Sequence, residues 1–250
     1  MKKNKFNLWT DGFAKYQFNK SQKNKIKQIK NKIISEVKKE YKLKKNISLE
    51  KFHFQEFKKQ NFNDFRLKVI KRINNIDNLH NIFFEIFKEK MIDFFGKDIA
   101  VQKNINLTIQ RPHDFFRAQL HRESPPDTAY EIVLWVPLVN CKKTMSLYLF
   151  PLKDSQKVEK VLKNQTKKKN DLEKYALKKG IGVDVNFGEY IIFCSKVYHY
   201  IPINTESNTR WSINLRYKNM FTPYGKKGYL DYFKPIHFSE ATNLALRYEK

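Results

Sequence analysis

The stretch "RWSINLRY" (210–217) alternates polar and apolar side chains over its whole length. Successive side chains of a β-strand point to opposite faces, so this period predicts a strand with two chemically different sides. One side carries polar residues and the other apolar ones: Arg210, Ser212, Asn214 and Arg216 against Trp211, Ile213, Leu215 and Tyr217. The apolar side can pack on a core while the arginine-bearing side lines a polar cavity.

Further short β-like runs precede this strand, and turn residues separate them. They are "INLTIQ" (105–110), "RAQLH" (117–121), "EIVLWVPLV" (131–139), "SLYLFP" (146–151) and "YIIFC" (190–194). Short strands at this spacing, mostly without helices between them, favour an antiparallel sandwich or barrel. One Lys-rich segment, 154–180, interrupts the series, and we predict a mainly exposed helical insertion that ends at Gly180.

The first part of the chain has helical periodicity. Apolar residues recur at steps of three and four within 21–41, which predicts an amphipathic helix with Ser21 as its N-cap. A second helical block spans about 62–95 and ends at Gly96. The sequence therefore predicts an α+β, mainly β protein of one structural domain. Its parts are a helical N-terminal lobe (1–96), a β core (97–230) that carries the insertion, and a C-terminal tail (231–250).

The composition allows a folded core, because 41% of the 250 residues are hydrophobic and 15% are aromatic. The formal net charge of +25 favours an anionic partner, such as nucleic acid, a membrane surface or a phosphorylated small molecule. The basic residues are spread along the chain, so A·T-rich codon usage is an alternative explanation for much of the excess. No apolar run has the length of a signal peptide or a membrane span, and two cysteines provide no disulfide framework. We therefore expect a cytoplasmic protein.

Two residues with metal-binding chemistry, His121 and Glu123, stand two positions apart in "QLHRESP" (119–125). On a strand they would project to the same face, about 6.6 Å apart along it. Such a pair suits two ligands of one metal ion, although it is also common on wet strand edges. His199 follows downstream, and Arg210 comes eleven positions after it.

This order of residues fits one kind of chemistry. Two histidines and one carboxylate bind non-haem Fe(II) and leave three positions open for a chelating cosubstrate and dioxygen. The planar guanidinium of Arg210 could hold the far carboxylate of such a cosubstrate with two hydrogen bonds. The hydroxyl of Ser212, two residues later, could add a third.

The sequence resembles the 2-oxoglutarate/Fe(II)-dependent oxygenases, whose pattern is HxD/E, a distant His and R-x-S/T on a double-stranded β-helix, the cupin-like jelly roll. It is most similar to the phytanoyl-CoA-hydroxylase-like branch found in sporadic carbohydrate-biosynthesis clusters. The resemblance covers most of the second half of the chain. It runs through "IQRPHD" (109–114), "QLHRESP" (119–125), "YEIVLWVPLVNCKKTMSLYLFP" (130–151), "HYIPINTESNTRWSINLRYK" (199–218) and "YFKPIHFSEATNLALRYE" (232–249).

The resemblance implies Fe(II) and 2-oxoglutarate as cofactors. It makes His121, Glu123 and His199 the iron ligands. Arg210 would anchor the C5 carboxylate of 2-oxoglutarate, with Ser212 as its helper. The implied substrate is a sugar, nucleotide-sugar or glycan precursor, oxidised at a C–H bond by O₂ with release of succinate and CO₂. The family more often has Asp where this sequence has Glu.

Other residues are candidates for the surroundings of the site. Gln119 shares the face of His121 and could reach the cosubstrate, and Trp135 and Arg216 could form the pocket wall. We expect structural or exposed positions for His53, His80 and His237, and a surface or substrate-facing one for His113. The two cysteines, Cys141 and Cys194, are expected to be buried small hydrophobic residues.

Two rival functions follow from the same residues. A β-barrel of this shape could bind a metal or a sugar without turnover, or without 2-oxoglutarate, but such a protein would not need Arg210 or Ser212. A nucleic-acid-binding module is what charge alone favours, and its affinity would fall steeply with salt. The aromatic residues lie mostly at helix-core spacing, so we do not expect nucleic acid to be the partner.

Overall fold

The computed structural model describes residues 6–42, 47–54, 62–115, 118–123, 128–163 and 169–248. Within these ranges the chain forms seven α-helices and ten β-strands. The helices are α1 (Leu8–Asp11), α2 (Lys20–Tyr41), α3 (Phe62–Asn74), α4 (Leu79–Phe95), α5 (Ser155–Lys163), α6 (Lys169–Lys179) and α7 (Glu240–Tyr248). The strands are β1 (Phe13–Gln17), β2 (Ile99–Gln102), β3 (Asn106–Gln110), β4 (Glu131–Pro137), β5 (Leu147–Leu149), β6 (Ile181–Val183), β7 (Glu189–Cys194), β8 (His199–Tyr200), β9 (Arg210–Asn219) and β10 (Phe233–His237). The prediction of an antiparallel, sheet-rich α+β protein is confirmed.

Strand β9 occupies the middle of the larger sheet. This sheet has seven strands in the order β1-β7-β4-β9-β2-β10, with β3 also paired to β9. One edge of β9 pairs antiparallel with β4, from Ser212↔Pro137 to Lys218↔Glu131. Two strands share the other edge, because β3 pairs with 210–214 and β2 pairs with 217–219.

Strand β9 also has the two different faces that its alternating sequence predicts. Trp211 is fully buried on the apolar face, where its indole N–H donates to the carbonyl oxygen of Leu49 at 2.9 Å. The ring of Phe52 meets the indole edge-on, with 5.3 Å between ring centroids. On the opposite face, Asn214 and Arg216 line a cavity.

A smaller antiparallel sheet has the order β6-β5-β8. Its core side chains, such as Leu147 and Leu149 of β5, belong to the same hydrophobic core as Val133 of β4 and Ile191 of β7. His121 extends this sheet by an isolated antiparallel bridge to His199 of β8. Residues from both sheets line the cavity, so the cavity lies between them.

The N-cap of helix α2 lies two residues earlier than the sequence predicts, and the predicted N-cap, Ser21, is wrong. The cap is Asn19, whose side-chain oxygen accepts from the Gln22 N–H at 2.9 Å while the Gln22 side chain accepts from the Asn19 N–H at 3.0 Å. This reciprocal capping box satisfies two backbone N–H groups, whereas a single serine hydroxyl would satisfy one. The predicted apolar face is buried through Ile26, Ile29, Ile33 and Val37.

The predicted helical block at 62–95 consists of two helices, α3 and α4. Residues 75–78 separate them, and the backbone of Asn78, the N-cap of α4, is left-handed with φ at 58°. Helix α4 ends at Gly96 as predicted, with φ at 72° and its N–H bonded to the Ile92 carbonyl at 2.8 Å. Helices α3 and α4 contact strands of the larger sheet.

Among the described helices, none has the length and apolar composition that crossing a membrane requires.

The segments predicted as a helical lobe (1–96) and a tail (231–250) each contribute a strand to the larger sheet. Strand β1 pairs antiparallel with β7, from Phe13↔Phe193 to Gln17↔Glu189. Strand β10 pairs antiparallel with β2 and carries an irregularity between Pro235 and His237. Both strands therefore belong to the sheet that holds β9.

The insertion at 154–180 forms helices α5 and α6 and ends at Gly180, whose N–H donates to the Ala176 carbonyl at 2.9 Å. The sequence predicts a mainly exposed insertion, but one face of it is buried. Val158 and Ala176 are fully buried in a second apolar cluster. The other buried members of this cluster are Leu120, Phe150, Tyr198 and Tyr200. Because Leu120 and Tyr198 adjoin His121 and His199 in the chain, the insertion packs directly behind those histidines.

Candidate metal centre

Three side chains with metal-binding chemistry meet between the two sheets. The ligand atoms of His121, Glu123 and His199 all lie within 4.8 Å of one another. Two backbone hydrogen bonds, 3.1 and 2.8 Å long, join His121 and His199, and the Glu123 N–H donates to the Ser195 carbonyl at 3.1 Å. The structure therefore brings together the three residues that the sequence singled out. Within the described residues, no other group of three such side chains is close enough to hold a metal.

Backbone carbonyls orient both imidazole rings. Nδ1 of His121 lies 2.6 Å from the Gln119 carbonyl oxygen, and Nδ1 of His199 lies 3.1 Å from the Val197 carbonyl oxygen. A carbonyl can only accept a hydrogen bond, so each Nδ1 carries the proton and each Nε2 of a neutral ring presents a lone pair. These Nε2 atoms lie 4.0 and 3.9 Å from Oε1 of Glu123. Two lone pairs and a carboxylate oxygen thus face one point.

The segment of His121 is less regular than the predicted strand 117–121. Of residues 118–121, which the structure describes, only His121 forms a β-bridge. The reason is local, because the Gln119 carbonyl is bound by the His121 ring and does not join a strand ladder. Residue 117 lies outside the described residues.

The protonation states suit metal binding at neutral pH. Burial alone would raise the pKa of Glu123, but the nearby Arg216 guanidinium lowers it to about 2. Burial lowers the pKa of His199 to about 3, so that this ring is neutral. The side chain of His121 is 42% exposed, against 10% for Glu123 and 7% for His199. Solvent and small molecules can therefore reach the site past His121.

The donor set indicates a catalytic rather than a structural metal centre. Two imidazole nitrogens and one carboxylate oxygen are the ligands of non-haem Fe(II) facial triads and also of some catalytic zinc sites. Structural zinc sites have four protein ligands, which close the coordination sphere. Three ligands leave positions for a substrate, a cosubstrate or water.

A cavity of about 280 Å³ adjoins the three ligands. Trp135 and Arg216, both expected at the pocket wall, line it. The wall is mixed, with amide, hydroxyl and guanidinium groups among apolar side chains. The other lining residues are Ile70, Asn106, Leu107, Thr108, Ala118, Leu147, Phe193, Ile201 and Asn214.

Arg210 lies one side chain away from this cavity. It is fully buried and does not line the cavity itself, but its Cζ atom is 5.3 Å from the ring centroid of Trp135, which does. None of its three guanidinium nitrogens has a hydrogen-bond partner among the described residues, and neither does the hydroxyl of Ser212. Burial lowers the pKa of Arg210 to about 10, which leaves the guanidinium charged at neutral pH. A buried, unpaired cation of this kind has the chemistry of an anion site without its anion.

The structure does not bring the Gln119 side chain to the site. That side chain is exposed and absent from the cavity wall, and Gln119 contributes only its carbonyl oxygen to the His121 ring. The other histidines do not approach the three ligands either. His53 contacts Thr209, His80 is buried beside Lys234, His113 occupies a turn at φ 58°, and His237 donates to the Lys97 carbonyl. Cys141 is buried as expected, whereas Cys194 is only partly buried.

Some contacts of the site could not be read from the sequence. Lys227 reaches Oε2 of Glu123 at 3.2 Å, and Arg216 contacts Oε1 of the same carboxylate. Arg216 is in turn bound by Gln102 and Tyr232. The alternation of β9 places Arg216 on the polar face, but no motif connects Lys227, Gln102 or Tyr232 with Glu123.

Comparisons with known proteins show the fold and not the family. No protein-family model and no curated protein matches the chain. Among solved structures, EvdMO1 has a TM-score of 0.56 at 14% identity, over 85% of this chain and 48% of that one. HygX from Streptomyces hygroscopicus, with nickel and 2-oxoglutarate bound, has a TM-score of 0.50 at 11% identity, over 92% and 91% of the two chains. The non-heme monooxygenase ThoJ in complex with nickel gives 0.50 at 11%, over 93% and 82%.

Proposed function

We propose that the chain is an Fe(II)- and 2-oxoglutarate-dependent dioxygenase built on a double-stranded β-helix. The observation that carries this proposal is the combination of two features in one fold. One is the converging set of His121, Glu123 and His199, and the other is the buried, unpartnered guanidinium of Arg210. The fold shared with HygX, a protein solved with nickel and 2-oxoglutarate, supports the same assignment.

The residues of the site fit Fe(II). His121, Glu123 and His199 would hold the ion through two neutral Nε2 atoms and one carboxylate oxygen, a set that non-haem iron favours. With 2-oxoglutarate and O₂ the bound iron supplies an oxidant for a substrate C–H bond, with release of succinate and CO₂. The hydrogen bonds from Nδ1 to the Gln119 and Val197 carbonyls keep both imidazoles in the ligating tautomer.

Arg210 and Ser212 would hold the far carboxylate of 2-oxoglutarate. A carboxylate accepts two parallel hydrogen bonds from a guanidinium fork and one more from a hydroxyl. It would supply partners to buried groups that have none among the described residues. Because Trp135 contacts Arg210 and also lines the cavity, the indole would lie beside a cosubstrate that reaches from the metal to Arg210.

We propose a sugar or glycan precursor as the substrate. This part of the proposal rests on the resemblance to oxygenases of carbohydrate-biosynthesis clusters. The polar part of the cavity wall supports it, because the amides of Asn106 and Asn214 and the hydroxyl of Thr108 can bond to sugar hydroxyl groups. A phosphate or nucleotide on the substrate would also be favoured by the net charge of +25.

One observation favours a second candidate, a metal-dependent enzyme or binding protein of the same fold that does not use 2-oxoglutarate. Arg210 does not line the cavity, and a protein with this donor set can act on a substrate without a dicarboxylate. In that case Arg210→Met would leave substrate and metal binding unchanged.

Anaerobic titration with Fe(II) and then 2-oxoglutarate tests the proposal. Chelation of the iron by 2-oxoglutarate gives a weak visible charge-transfer band, which we expect in the wild-type protein. The band should be lost in His199→Ala and should need far more 2-oxoglutarate in Arg210→Met. Absence of the band in the wild type would refute the function. A wild type that binds Fe(II) but shows no band, with metal binding lost in His199→Ala, would favour the second candidate. An unchanged titration in Arg210→Met would show that Arg210 does not hold the cosubstrate.

A further inference from the structure

Two cations hold the two oxygens of the Glu123 carboxylate. Arg216 contacts Oε1 through Nη2, and Nζ of Lys227 lies 3.2 Å from Oε2. The Arg216 side chain is 9% exposed and the Lys227 side chain is 18% exposed, so solvent screens neither contact strongly. Oε1 is also the oxygen that faces both imidazoles.

Two further hydrogen bonds hold the guanidinium of Arg216 in place. Its Nη1 donates to Oε1 of Gln102 at 2.9 Å and to the hydroxyl of Tyr232 at 2.8 Å. Gln102 is 2% exposed, and its own Nε2 donates to the Asn104 carbonyl at 2.7 Å. The guanidinium that contacts Glu123 is therefore also hydrogen-bonded to β2 and to the segment that precedes β10.

A glutamate ligand creates a problem that an aspartate does not. Its extra methylene adds one rotatable bond, so a free glutamate loses more conformational entropy when it binds a metal. Like any carboxylate, it can also bind through both oxygens, which would occupy one of the positions that a chelating cosubstrate and O₂ need. Contacts that fix the carboxylate in advance remove both problems.

We propose that Arg216 is a positioning residue that, together with Lys227, holds Glu123 ready to bind the metal through Oε1 alone. The proposal rests on the metal site of the proposed function. Arg216 sets the direction of the carboxylate toward the two imidazoles, and Lys227 retains Oε2. Of the two residues that position Glu123, Arg216 thus comes from β9 and Lys227 from the segment between β9 and β10.

Metal affinity in a double-mutant cycle tests the proposal. Binding of Co(II) and Mn(II) is measured by anaerobic calorimetry for the wild type, Arg216→Met, Glu123→Asp and the double variant. We expect Arg216→Met to weaken binding about 10- to 100-fold, the usual effect of removing a group that orients a ligand. In the Glu123→Asp background the carboxylate is withdrawn by about 1.5 Å, one carbon–carbon bond, and we expect Arg216→Met to have little further effect.

Two further variants show whether metal affinity depends on the position of the Arg216 guanidinium or only on its charge, and whether any loss of an arginine has the same effect. Arg216→Lys keeps the charge but cannot reach Glu123, Gln102 and Tyr232 together, so its affinity should lie between those of Arg216→Met and the wild type. Arg72→Met is the matched control, because Arg72 forms ion pairs with Glu36 and Glu40 away from the site. It should bind metal like the wild type. Thermal unfolding of each metal-free variant checks that it is folded.

Each outcome decides the proposal. Wild-type affinity in Arg216→Met would overturn it, and so would a loss of affinity that is equally large in the wild-type and Glu123→Asp backgrounds. If Arg216→Met does not fold, Lys227→Met takes its place in the same cycle, with a smaller loss expected in the same direction. Failure of the wild type to bind either metal would instead overturn the proposed function, so the two failures are distinguishable.

Discussion

Replacement of Arg210 by methionine should stabilise the ligand-free protein and at the same time remove the response to 2-oxoglutarate. The side chain is fully buried, and its three guanidinium nitrogens have no hydrogen-bond partner among the described residues. An ion buried in this way costs several kcal/mol in desolvation, of which the Trp135 ring at 5.3 Å returns about 2 kcal/mol. Methionine fills similar volume without the charge. We therefore expect a gain of about 1–3 kcal/mol in the free energy of unfolding, or roughly 3–10 °C in Tm.

The assay is denaturant unfolding of the two proteins with and without metal and 2-oxoglutarate. In the wild type, 2-oxoglutarate at 100 times its Kd should add about 2.7 kcal/mol, and this increment should vanish in Arg210→Met. Arg66→Met is the matched control, because Arg66 is also buried but has partners in Asp114 and the Ile109 carbonyl. That variant leaves the partly buried carboxylate of Asp114 without Arg66 and should lose up to about 3–5 kcal/mol. If Arg210→Met is destabilised as Arg66→Met is, the guanidinium has a partner in the ligand-free protein and the reasoning is refuted.

Three further predictions concern packing and pH. Gly12 has φ at 81° and a Cβ there would lie 2.6 Å from Val197 Cγ2, so Gly12→Ala should lose about 1–3 kcal/mol in denaturant unfolding. Gly96→Ala, at φ 72° and ψ −164° with no described atom within 4 Å of the added Cβ, should lose stability through backbone strain alone, and an unchanged stability of Gly12→Ala would contradict the packing argument. Leu120 is 8% exposed in the cluster that joins the insertion to the histidines, so Leu120→Ala should lower the free energy of unfolding by about 2–5 kcal/mol. Leu177 of α6 is 39% exposed, so Leu177→Ala should change stability little. The pKa of Glu123 is about 2 in the folded protein against 4.5 for a free glutamate, so its ion pairs stabilise the fold above pH 4.5, on the order of 3 kcal/mol, and lose that effect as pH falls toward 2. The stability difference between wild type and Glu123→Gln should shrink over that pH range, and a constant difference would refute the assignment.

The elements that the sequence predicts well are those whose signal is local and periodic. The two-residue alternation of 210–217 specifies β9 and its polar face, and the three- and four-residue steps of 21–41 specify the buried face of α2. The order of His121, Glu123 and His199 indicates that they belong together, because a metal needs several ligands from separate places in the chain. Local patterns cannot say which strand edges meet. Strands β1 and β10 therefore escape prediction, since each is short and finds its partner, β7 or β2, only in the folded sheet.

The surroundings of the site could not be predicted for a related reason. Lys227 and Tyr232 lie in a segment without periodicity, and Lys227 contacts a carboxylate 104 positions earlier in the chain. Val158 stands between Lys157 and Glu159, and Ala176 is a small residue in a Lys-rich helix, so the composition of the insertion conceals its buried face. Conversely, strand alternation predicts Gln119 near the cosubstrate, but the turn of its carbonyl to the His121 ring ends that alternation.

Strand β9 makes the fold and the proposed chemistry depend on one another. The residues that face the core, such as the fully buried Trp211 and Leu215, alternate with Arg210, Asn214 and Arg216. A shift of one residue in the register against β4 would exchange the two sets and bury the arginines in the apolar core. The pairing from Ser212↔Pro137 to Lys218↔Glu131 excludes that exchange. Apolar packing on one side of β9 therefore determines where Arg210 can meet a carboxylate and where Arg216 can meet Glu123, so a substitution on either face should be measured for both stability and metal binding.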